Sequence, residues 1–311
     1  MWIKLLIILL TAEFSSAQSN VFNTSGIDFY YGSTLNDFLH YHISEVSTIL
    51  FHPAYDHNKK TIFYIYGFRE YRTINTVKKI ISAYQHRGDH NILLLDWEQI
   101  ANGNYILNAF PNTFEFGEIL AEVLIKMTFD GLNLRNLHVV SHSLGSQLAG
   151  SLGRNIIKKT SGQLRLKRIT ALDPAFPLFY PPLFGQHLNA NDAEMVDVIH
   201  TDGWIYGAPF STGTVDFWPN GGKVLYQPGC TRNFQILSDG DLCPHWRSVR
   251  FYAESVINKY EPVFQARKCD SWNNFKKGYC KSNNDFVSMG IDTPSYARGD
   301  YYLQTNNVNP F

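Results

Sequence analysis

The sequence predicts an α/β fold with a mostly parallel central sheet and helices on both faces. Short β-rich runs alternate with segments of helical periodicity through most of the chain. Apolar residues make up 44% of the 311 residues and charged residues only 17%, which excludes a disordered chain. Lys and Arg total 27, as do Asp and Glu, so the formal net charge is zero. A dedicated nucleic-acid binder would be strongly basic, so we expect no nucleic-acid partner.

The predicted elements follow this alternation along the chain. The run 61–66 is rich in aromatic and β-branched residues and stops at Gly67, so it is predicted as a strand. Segment 113–127 carries apolar side chains on one helical face and glutamates on the other, so it is predicted as a helix. The full prediction is strands at 61–66, 91–95, 136–140, 168–172 and 194–200, helices at 73–86, 113–127, 144–158 and 244–259, and edge strands within 285–302.

The N-terminal residues 1–17 have the features of a secretory signal peptide. One lysine precedes the apolar run Leu5–Leu10, and small residues at Ser15 and Ala17 indicate cleavage after Ala17. The apolar run is too short to span a bilayer. We therefore expect a secreted, extracellular protein in which residues 18–311 form a single domain, with its N-glycosylation sequon at Asn23.

The chain has four cysteines, an even number that suits two disulfides in an oxidising compartment. Four cysteines allow three pairings. Sequential pairing, Cys230 with Cys243 and Cys269 with Cys280, closes two small loops. A structural zinc site is the alternative, but the sequence has no C-x-x-C pair to support it.

The most informative segment is 137–145, where a predicted strand runs directly into a predicted helix through Ser141-His-Ser-Leu-Gly145. This is the context of the nucleophile elbow G-x-S-x-G, a sharp turn that exposes a serine at the top of a sheet. Ser141 takes the place of the first glycine. Because serine is also small, we expect the turn to be retained and Ser143 to be the nucleophile.

A nucleophilic serine needs a base, and the base needs an acid that orients it. In this kind of fold the chain order is Ser, then Asp or Glu, then His. Asp173 follows the predicted strand 168–172, and His245 lies at a helix start beside Cys243. The alternative for Asp173 is a turn residue before proline, and the alternative for His245 is a polar surface or core residue. Their place in the chain order makes Asp173 the candidate acid and His245 the candidate base.

The negative oxygen that forms in acyl transfer needs two backbone N–H donors. The residue after the nucleophile, Leu144, supplies one. The second donor comes from the loop after an early strand. Phe68 follows strand 61–66 across Gly67, so its N–H is the second candidate.

These segments together resemble the pancreatic lipase family of α/β-hydrolases, over roughly residues 61–280. The resemblance rests on Tyr66-Gly-Phe68, Asp96-Trp97, the elbow, Leu172-Asp-Pro-Ala175, Asp197-Val-Ile-His-Thr-Asp-Gly203, Asp216-Phe-Trp-Pro-Asn-Gly-Gly222, Gln227-Pro-Gly-Cys230 and Cys243-Pro-His-Trp-Arg-Ser248. It implies that Ser143, Asp173 and His245 form the catalytic triad and that Phe68 and Leu144 form the oxyanion hole. The Cys269–Cys280 pairing also resembles that of the family.

The sequence departs from the family pattern in several places. Ser141 replaces the first elbow glycine, and Tyr66 stands where the family usually has histidine, which puts the shape of the oxyanion loop in question. The chain ends soon after the part that resembles the catalytic domain. We therefore expect neither the C-terminal β-sandwich of pancreatic lipase nor dependence on the colipase that it binds. In this the chain resembles short secreted members from insects and venoms.

The segments expected to cover the site are short. The lid lies between Cys230 and Cys243 and has twelve residues, Thr231 to Leu242, and the flanking segment 202–216 is also trimmed. Within the family these features resemble the phospholipase A1 members. A short lid leaves a site open to single lipids, whereas a long apolar lid hides it until it meets an oil surface. The expected substrate is therefore a phospholipid at a lipid surface, with peripheral membrane contact; a triacylglycerol or other neutral glyceride is the alternative.

Part of the family binds calcium near residue 190. By resemblance Asp192 matches a ligand position, but Asn189 replaces an acid, and Phe184 and His187 would contribute only carbonyl oxygens. Calcium prefers several hard oxygen ligands. We therefore expect no cofactor, with Asp192 as a weak calcium candidate.

The sequence thus indicates a secreted serine hydrolase of lipid carboxylic esters. A different class of protein is the competing interpretation, namely a non-catalytic lipid-binding or storage protein resembling the yolk proteins of this family. Those proteins have lost the triad, whereas all three candidate residues are present here in the expected order.

Overall fold

The computed structural model describes residues 28–32, 38–181, 186–223, 227–231, 233, 235–259, 261, 263–281 and 285–311. The predicted signal peptide and the Asn23 sequon lie outside these residues. None of the helices among the described residues combines the length and the apolar character needed to cross a bilayer.

An eleven-stranded sheet forms the centre of the molecule. Its strands are β1 (Asp28–Tyr31), β2 (Leu39–His42), β3 (Lys60–Ile65), β4 (His90–Asp96), β5 (Leu137–His142), β6 (Arg168–Leu172), β7 (Met195–Ile199), β8 (Val215–Pro219), β9 (Gln265–Lys268), β10 (Phe286–Ser288) and β11 (Gly299–Leu303). The order across the sheet is β10-β9-β11-β8-β7-β6-β5-β3-β4-β1-β2. Every pair from β11 to β4 is parallel, and antiparallel strands complete both edges. The predicted mostly parallel sheet is confirmed.

The α-helices are α1 (Asn75–Arg87), α2 (Glu98–Ala101), α3 (Phe110–Phe129), α4 (Leu144–Lys159), α5 (Asp239–Ile257) and α6 (Trp272–Lys276). Short 3-10 helices span Ile43–Phe51 and Ala190–Asp192, and a π-helical turn spans Tyr105–Ala109. Helix α1 packs on α5, and α3 packs on α4. The α3–α4 contact is close, since a Cβ added at Gly117 would lie 2.3 Å from the Ser151 Oγ.

The direction of the crossovers explains why helices cover both faces. The step from β3 through α1 to β4 moves toward one edge of the sheet, whereas the step from β5 through α4 to β6 moves toward the other. Because parallel crossovers are almost always right-handed, opposite directions place α1 and α4 on opposite faces. The core strands are therefore buried on both sides, which is why they are continuous apolar runs without alternation.

Several elements differ from the prediction. Strands β1, β2, β8 and β9 were not predicted, and β11 is not at an edge but lies between β9 and β8. The helix predicted to begin at Pro244 begins instead at Asp239, so Pro244 and His245 lie inside α5. The earlier start is explained by Ser238, which caps the helix by accepting the Asp241 N–H.

Both disulfides follow the sequential pairing. Cys230 is bonded to Cys243 with a Cα–Cα distance of 5.6 Å, and Cys269 to Cys280 with 4.8 Å. The first bond joins the start of the lid to α5 two residues before His245. The second stabilises a small cluster at the sheet edge, where both half-cystines pack with Trp218 and Tyr302.

Candidate active site

The strand-to-helix turn at Ser143 has the sharp geometry that the sequence predicts. Ser143 lies between β5 and α4 with φ 52° and ψ −121°, a region that non-glycine residues rarely adopt. The turn requires glycine at 145, where a Cβ would lie 2.3 Å from the Tyr66 carbonyl oxygen. Ser141 is accommodated in the glycine position because its buried hydroxyl donates to the Thr170 carbonyl at 3.2 Å.

Asp173 and His245 are brought together directly. His245 Nδ1 lies 2.6 Å from Asp173 Oδ2, and both side chains are buried. The other carboxylate oxygen, Oδ1, accepts the N–H groups of Thr201 at 2.7 Å and Asp202 at 3.1 Å. A carboxylate held in this way fixes the proton of the histidine on Nδ1 and turns Nε2 outward as the basic atom.

Burial lowers the pKa of His245 below its ordinary value, while the hydrogen bond to Asp173 acts in the opposite direction. The neighbouring imidazole of His142 also acts to lower the pKa of His245. The net effect keeps the imidazole neutral at neutral pH, which is the state in which it can accept a proton.

Ser143 lies in the same cluster, although it shares no hydrogen bond with His245 among the described residues. Its carbonyl accepts the Ala175 N–H at 3.1 Å, which ties the elbow to the chain just after Asp173. Its neighbour His142 contacts His245, with ring centroids 4.6 Å apart. Catalytic hydrogen bonds are often long before substrate binds and tighten in the complex.

The turn after β3 lies directly beside the elbow. A Cβ added at Gly67 would be only 2.8 Å from the Ser143 Cβ, so glycine is required for this approach. Phe68 is the next residue. Leu144 is the first residue of α4, and the N–H groups in the first turn of a helix have no partner within that helix. Neither of these two N–H groups has a hydrogen-bond partner in the part of the chain that the structure describes.

Tyr66 anchors this turn in place of the usual histidine. The Tyr66 hydroxyl donates to Asp96 Oδ1 and accepts the Trp97 N–H at 3.0 Å. The Trp97 indole N–H in turn donates to the Tyr66 carbonyl at 3.0 Å. Burial, together with Asp96, raises the pKa of Tyr66, so the hydroxyl remains a donor. The tyrosine at this position therefore ties the turn after β3 to the end of β4.

Two further residues of the site were missed by the sequence reasoning. Glu70 is buried, and its Oε2 lies 2.8 Å from His142 Nδ1 and accepts the Gly67 N–H at 2.7 Å. Burial acts to raise the pKa of Glu70, but His142 and the other donors outweigh it and lower the pKa to about 2. The carboxylate is therefore ionised. No local sequence signal links these residues, because they are 72 positions apart.

The lid and the flanking loop meet next to the candidate base. The Tyr206 hydroxyl donates to Asp241 Oδ2 at 2.5 Å, and the same carboxylate oxygen accepts the Leu237 N–H at 3.1 Å. The Tyr206 ring centroid lies 5.7 Å from that of His245. On the same loop, the exposed Trp204 packs against the exposed Phe210, with centroids 5.2 Å apart. The loop that carries Tyr206 therefore also presents two exposed aromatic side chains.

The candidate calcium site is occupied by a side-chain cation. The Arg154 guanidinium donates to Asp192 Oδ2 at 2.7 Å and to the His187 carbonyl at 3.0 Å, and the Asn189 amide donates to Asp192 Oδ1. Phe184 lies outside the described residues. The guanidinium binds the oxygens that a metal would need, so these residues do not fit a calcium ion. No group of three or more His, Cys, Asp or Glu placed to hold a metal is found in the described ranges.

Comparison with known proteins agrees with this geometry. A family model described as Lipase matches residues 29–311. The chain is 32% identical over 232 residues to Lipase member H-B of Xenopus laevis, which covers 74% of this chain and 48% of that protein. It is 31% identical over 281 residues to Lipoprotein lipase of Bos taurus, which covers 83% and 56%. The chain therefore spans about half the length of these curated relatives.

Among solved structures, one match is MGS-M1, an alpha/beta hydrolase enzyme from a Medee basin deep-sea metagenome library. The match is 14% identical with a TM-score of 0.32 and covers 58% of this chain and 72% of that one. The family assignment rests instead on the match over residues 29–311, which is most of the chain. The sheet order and the elbow at Ser143 accord with it. The chain thus belongs to the pancreatic lipase family of α/β-hydrolases.

Proposed function

We propose that this protein is a serine hydrolase of lipid carboxylic esters. The observation that carries the proposal is the buried Asp173–His245 pair, 2.6 Å apart, located beside a strained serine elbow. Backbone strain at a functional site persists only where the surrounding structure enforces it. A storage or carrier protein would gain nothing from either feature.

The proposed reaction begins when the Ser143 Oγ attacks the acyl carbonyl and its proton moves to His245 Nε2. The oxyanion that forms is held by the N–H groups of Phe68 and Leu144. As the tetrahedral intermediate collapses, the ester C–O bond breaks and His245 Nε2 gives its proton to the leaving alcohol. Asp173 orients the imidazole and stabilises its positive charge.

The acyl-enzyme is then hydrolysed by the reverse sequence. A water molecule gives a proton to His245 Nε2 and its oxygen attacks the acyl carbonyl. Collapse of the second intermediate releases the fatty acid and returns the proton to the Ser143 oxygen. Every proton transfer uses the chain's own groups, so we propose that no cofactor takes part.

For the substrate we propose a phospholipid, cleaved as by a phospholipase A1, with a neutral glyceride as the alternative. Two features support this choice. The lid has only twelve residues between its disulfide-bonded cysteines. The exposed Trp204 and Phe210 give this loop an apolar contact for lipid chains at a membrane surface. The two disulfides support the further proposal that the protein is secreted.

The test is release of fatty acid from phosphatidylcholine and from triolein, measured side by side with purified wild type and the Ser143→Ala variant. We expect release from phospholipid that is lost in the variant, and labelling of the wild type alone by a fluorophosphonate. Release from triolein only would retain the hydrolase proposal and refute the phospholipid preference. A folded wild type with neither release nor labelling would refute the enzyme proposal in favour of lipid storage.

A further inference from the structure

The Glu70 carboxylate connects three separate elements of the site. Its Oε2 accepts the Gly67 N–H at 2.7 Å and lies 2.8 Å from His142 Nδ1. Its Oε1 accepts the Thr76 hydroxyl at 2.5 Å, from the first turn of α1. One buried side chain thereby joins the turn after β3, the end of β5 and the start of α1.

The Glu70–His142 hydrogen bond crosses between the two donors proposed for the oxyanion hole. Gly67 is the residue before Phe68, and His142 is two residues before Leu144. The bond therefore fixes the spacing between the two backbone segments that carry these N–H groups. A donor must lie within about 2.7–3.1 Å of the developing oxyanion, so small changes in that spacing affect catalysis.

His142 depends on Glu70 for its orientation. Its Nε2 is buried and has no hydrogen-bond partner among the described residues, so Nδ1 supplies its only polar contact there. The ring in turn lies against His245, with centroids 4.6 Å apart. A histidine held at one nitrogen only, with the other left unpaired in the interior, carries a cost that is hard to explain as packing alone.

We propose that Glu70 and His142 are positioning residues that hold the oxyanion turn in register with the nucleophile elbow. The proposal rests on the proposed hydrolase function. Among the described residues, neither side chain shares a hydrogen bond with Ser143 or His245. Glu70 acts through the Gly67 backbone, and His142 links that carboxylate to the elbow while supporting the ring of the base.

The test compares the kcat and KM for a soluble short-chain phosphatidylcholine in wild type, Glu70→Gln, and a matched control, Glu254→Gln. Glu254 is also a buried glutamate, but it lies near the C-terminal end of α5, and its carboxylate accepts the Phe311 N–H at 2.9 Å. We expect Glu70→Gln to lower kcat about 30-fold with KM within about threefold of wild type, because positioning of donors is felt in the transition state. The control should retain kcat within about twofold, even where its thermal midpoint falls.

Two variants of His142 separate positioning from packing. An asparagine can still donate to Glu70 but lacks the ring, whereas a phenylalanine keeps a ring but cannot donate. We expect His142→Asn to retain kcat within about fivefold and His142→Phe to lose it as Glu70→Gln does. The reverse ranking, or equal kcat for Glu70→Gln and Glu254→Gln, would overturn the proposal. A wild type that shows neither Ser143-dependent turnover of phosphatidylcholine or triolein nor labelling by a fluorophosphonate would instead refute the hydrolase function itself.

Discussion

Replacing Asp173 by Asn changes the proposed triad with little disturbance of its geometry. Asp173 Oδ1 accepts two backbone N–H groups, at 2.7 and 3.1 Å, and the amide oxygen of asparagine can accept the same two bonds. The other oxygen, 2.6 Å from His245 Nδ1, becomes an NH₂ group that donates where it formerly accepted. The histidine must then carry its proton on Nε2, the atom that should accept the proton of Ser143.

The size of the effect follows from the contact that is lost. A hydrogen bond to a charged partner contributes about 1.5–3 kcal/mol, and its loss from the protonated histidine costs about 10- to 150-fold in rate. The wrong tautomer adds a further factor. Together these give an expected fall in kcat of about 10³–10⁴-fold, similar to the effect of this change in a serine protease triad.

The assay is fatty-acid release from micellar phosphatidylcholine at pH 8, with circular dichroism to confirm folding. The matched control is Asp216→Asn, since Asp216 is also a buried aspartate paired with a histidine, His200, at 2.8 Å. The control should lose stability but retain kcat within about threefold. A folded Asp173→Asn protein with kcat within tenfold of wild type would refute the role assigned to Asp173.

Four further outcomes are expected. Burial lowers the pKa of His245, so the acid limb of kcat/KM should have its midpoint below 6.5: activity is present above this pKa and is lost as the histidine is protonated. A midpoint at 7 or higher in a pH–rate profile would contradict this. Tyr66→Phe removes two hydrogen bonds and should lower the thermal midpoint by several degrees and kcat by about tenfold, measured by calorimetry and turnover; an unchanged kcat would argue against anchoring of the oxyanion turn. Replacing Cys230 and Cys243 by serine should cost about 3 kcal/mol in urea unfolding, as expected for a loop of this length, and a loss below 1 kcal/mol would contradict it. The Arg154→Gln variant should have a lower thermal midpoint than the wild type, because it loses the bonds of the guanidinium to Asp192 and His187. The thermal midpoint and the activity of the wild type should not respond to EDTA or calcium; a calcium-dependent wild type would contradict the interpretation that the guanidinium takes the place of the metal.

The parts of the molecule that were predictable from sequence are those determined by local pattern. The elbow was found because strand, turn and helix are contiguous in 137–159. Asp173 was found because it comes directly after the next strand along the chain, β6. Strands β1 and β9 have four residues each and were missed, because so short a run carries no recognisable period. The Glu70–His142 bond was also missed, since it joins segments that only the folded sheet brings together.

The departure at Tyr66 shows a different limit. The sequence reveals that the usual histidine is absent, but it does not reveal what replaces its function. The partners of the Tyr66 hydroxyl, Asp96 and Trp97, were recognised only as a family motif at the end of β4. Their role became visible once β3 and β4 were adjacent in the sheet. A substitution within a pattern is thus interpretable only together with the neighbours of that position in space.

The site has a rigid part and a part that depends on cross-links. The sheet continues into the turns that carry Ser143 and Asp173, because the Ser143 N–H donates to the Leu172 carbonyl at 3.0 Å and the Asp173 N–H to the Ile199 carbonyl at 2.8 Å. Both residues have positive φ, 52° and 47°, and these bonds to the neighbouring strand hold them in that strained conformation. The proposed nucleophile and the proposed acid therefore share the rigidity of the sheet.

The candidate base lacks that support, because it is carried by α5, which follows the lid. His245 is held by Asp173 at its side chain and by Thr201, whose hydroxyl donates to the His245 carbonyl at 3.4 Å. The Cys230–Cys243 bond, two residues earlier, restrains the start of the helix. Removing the disulfide should therefore reduce activity at temperatures well below global unfolding, because the proposed base is released before the proposed nucleophile and acid. Loss of activity and loss of folded structure at the same temperature would show that α5 is held as firmly as the sheet.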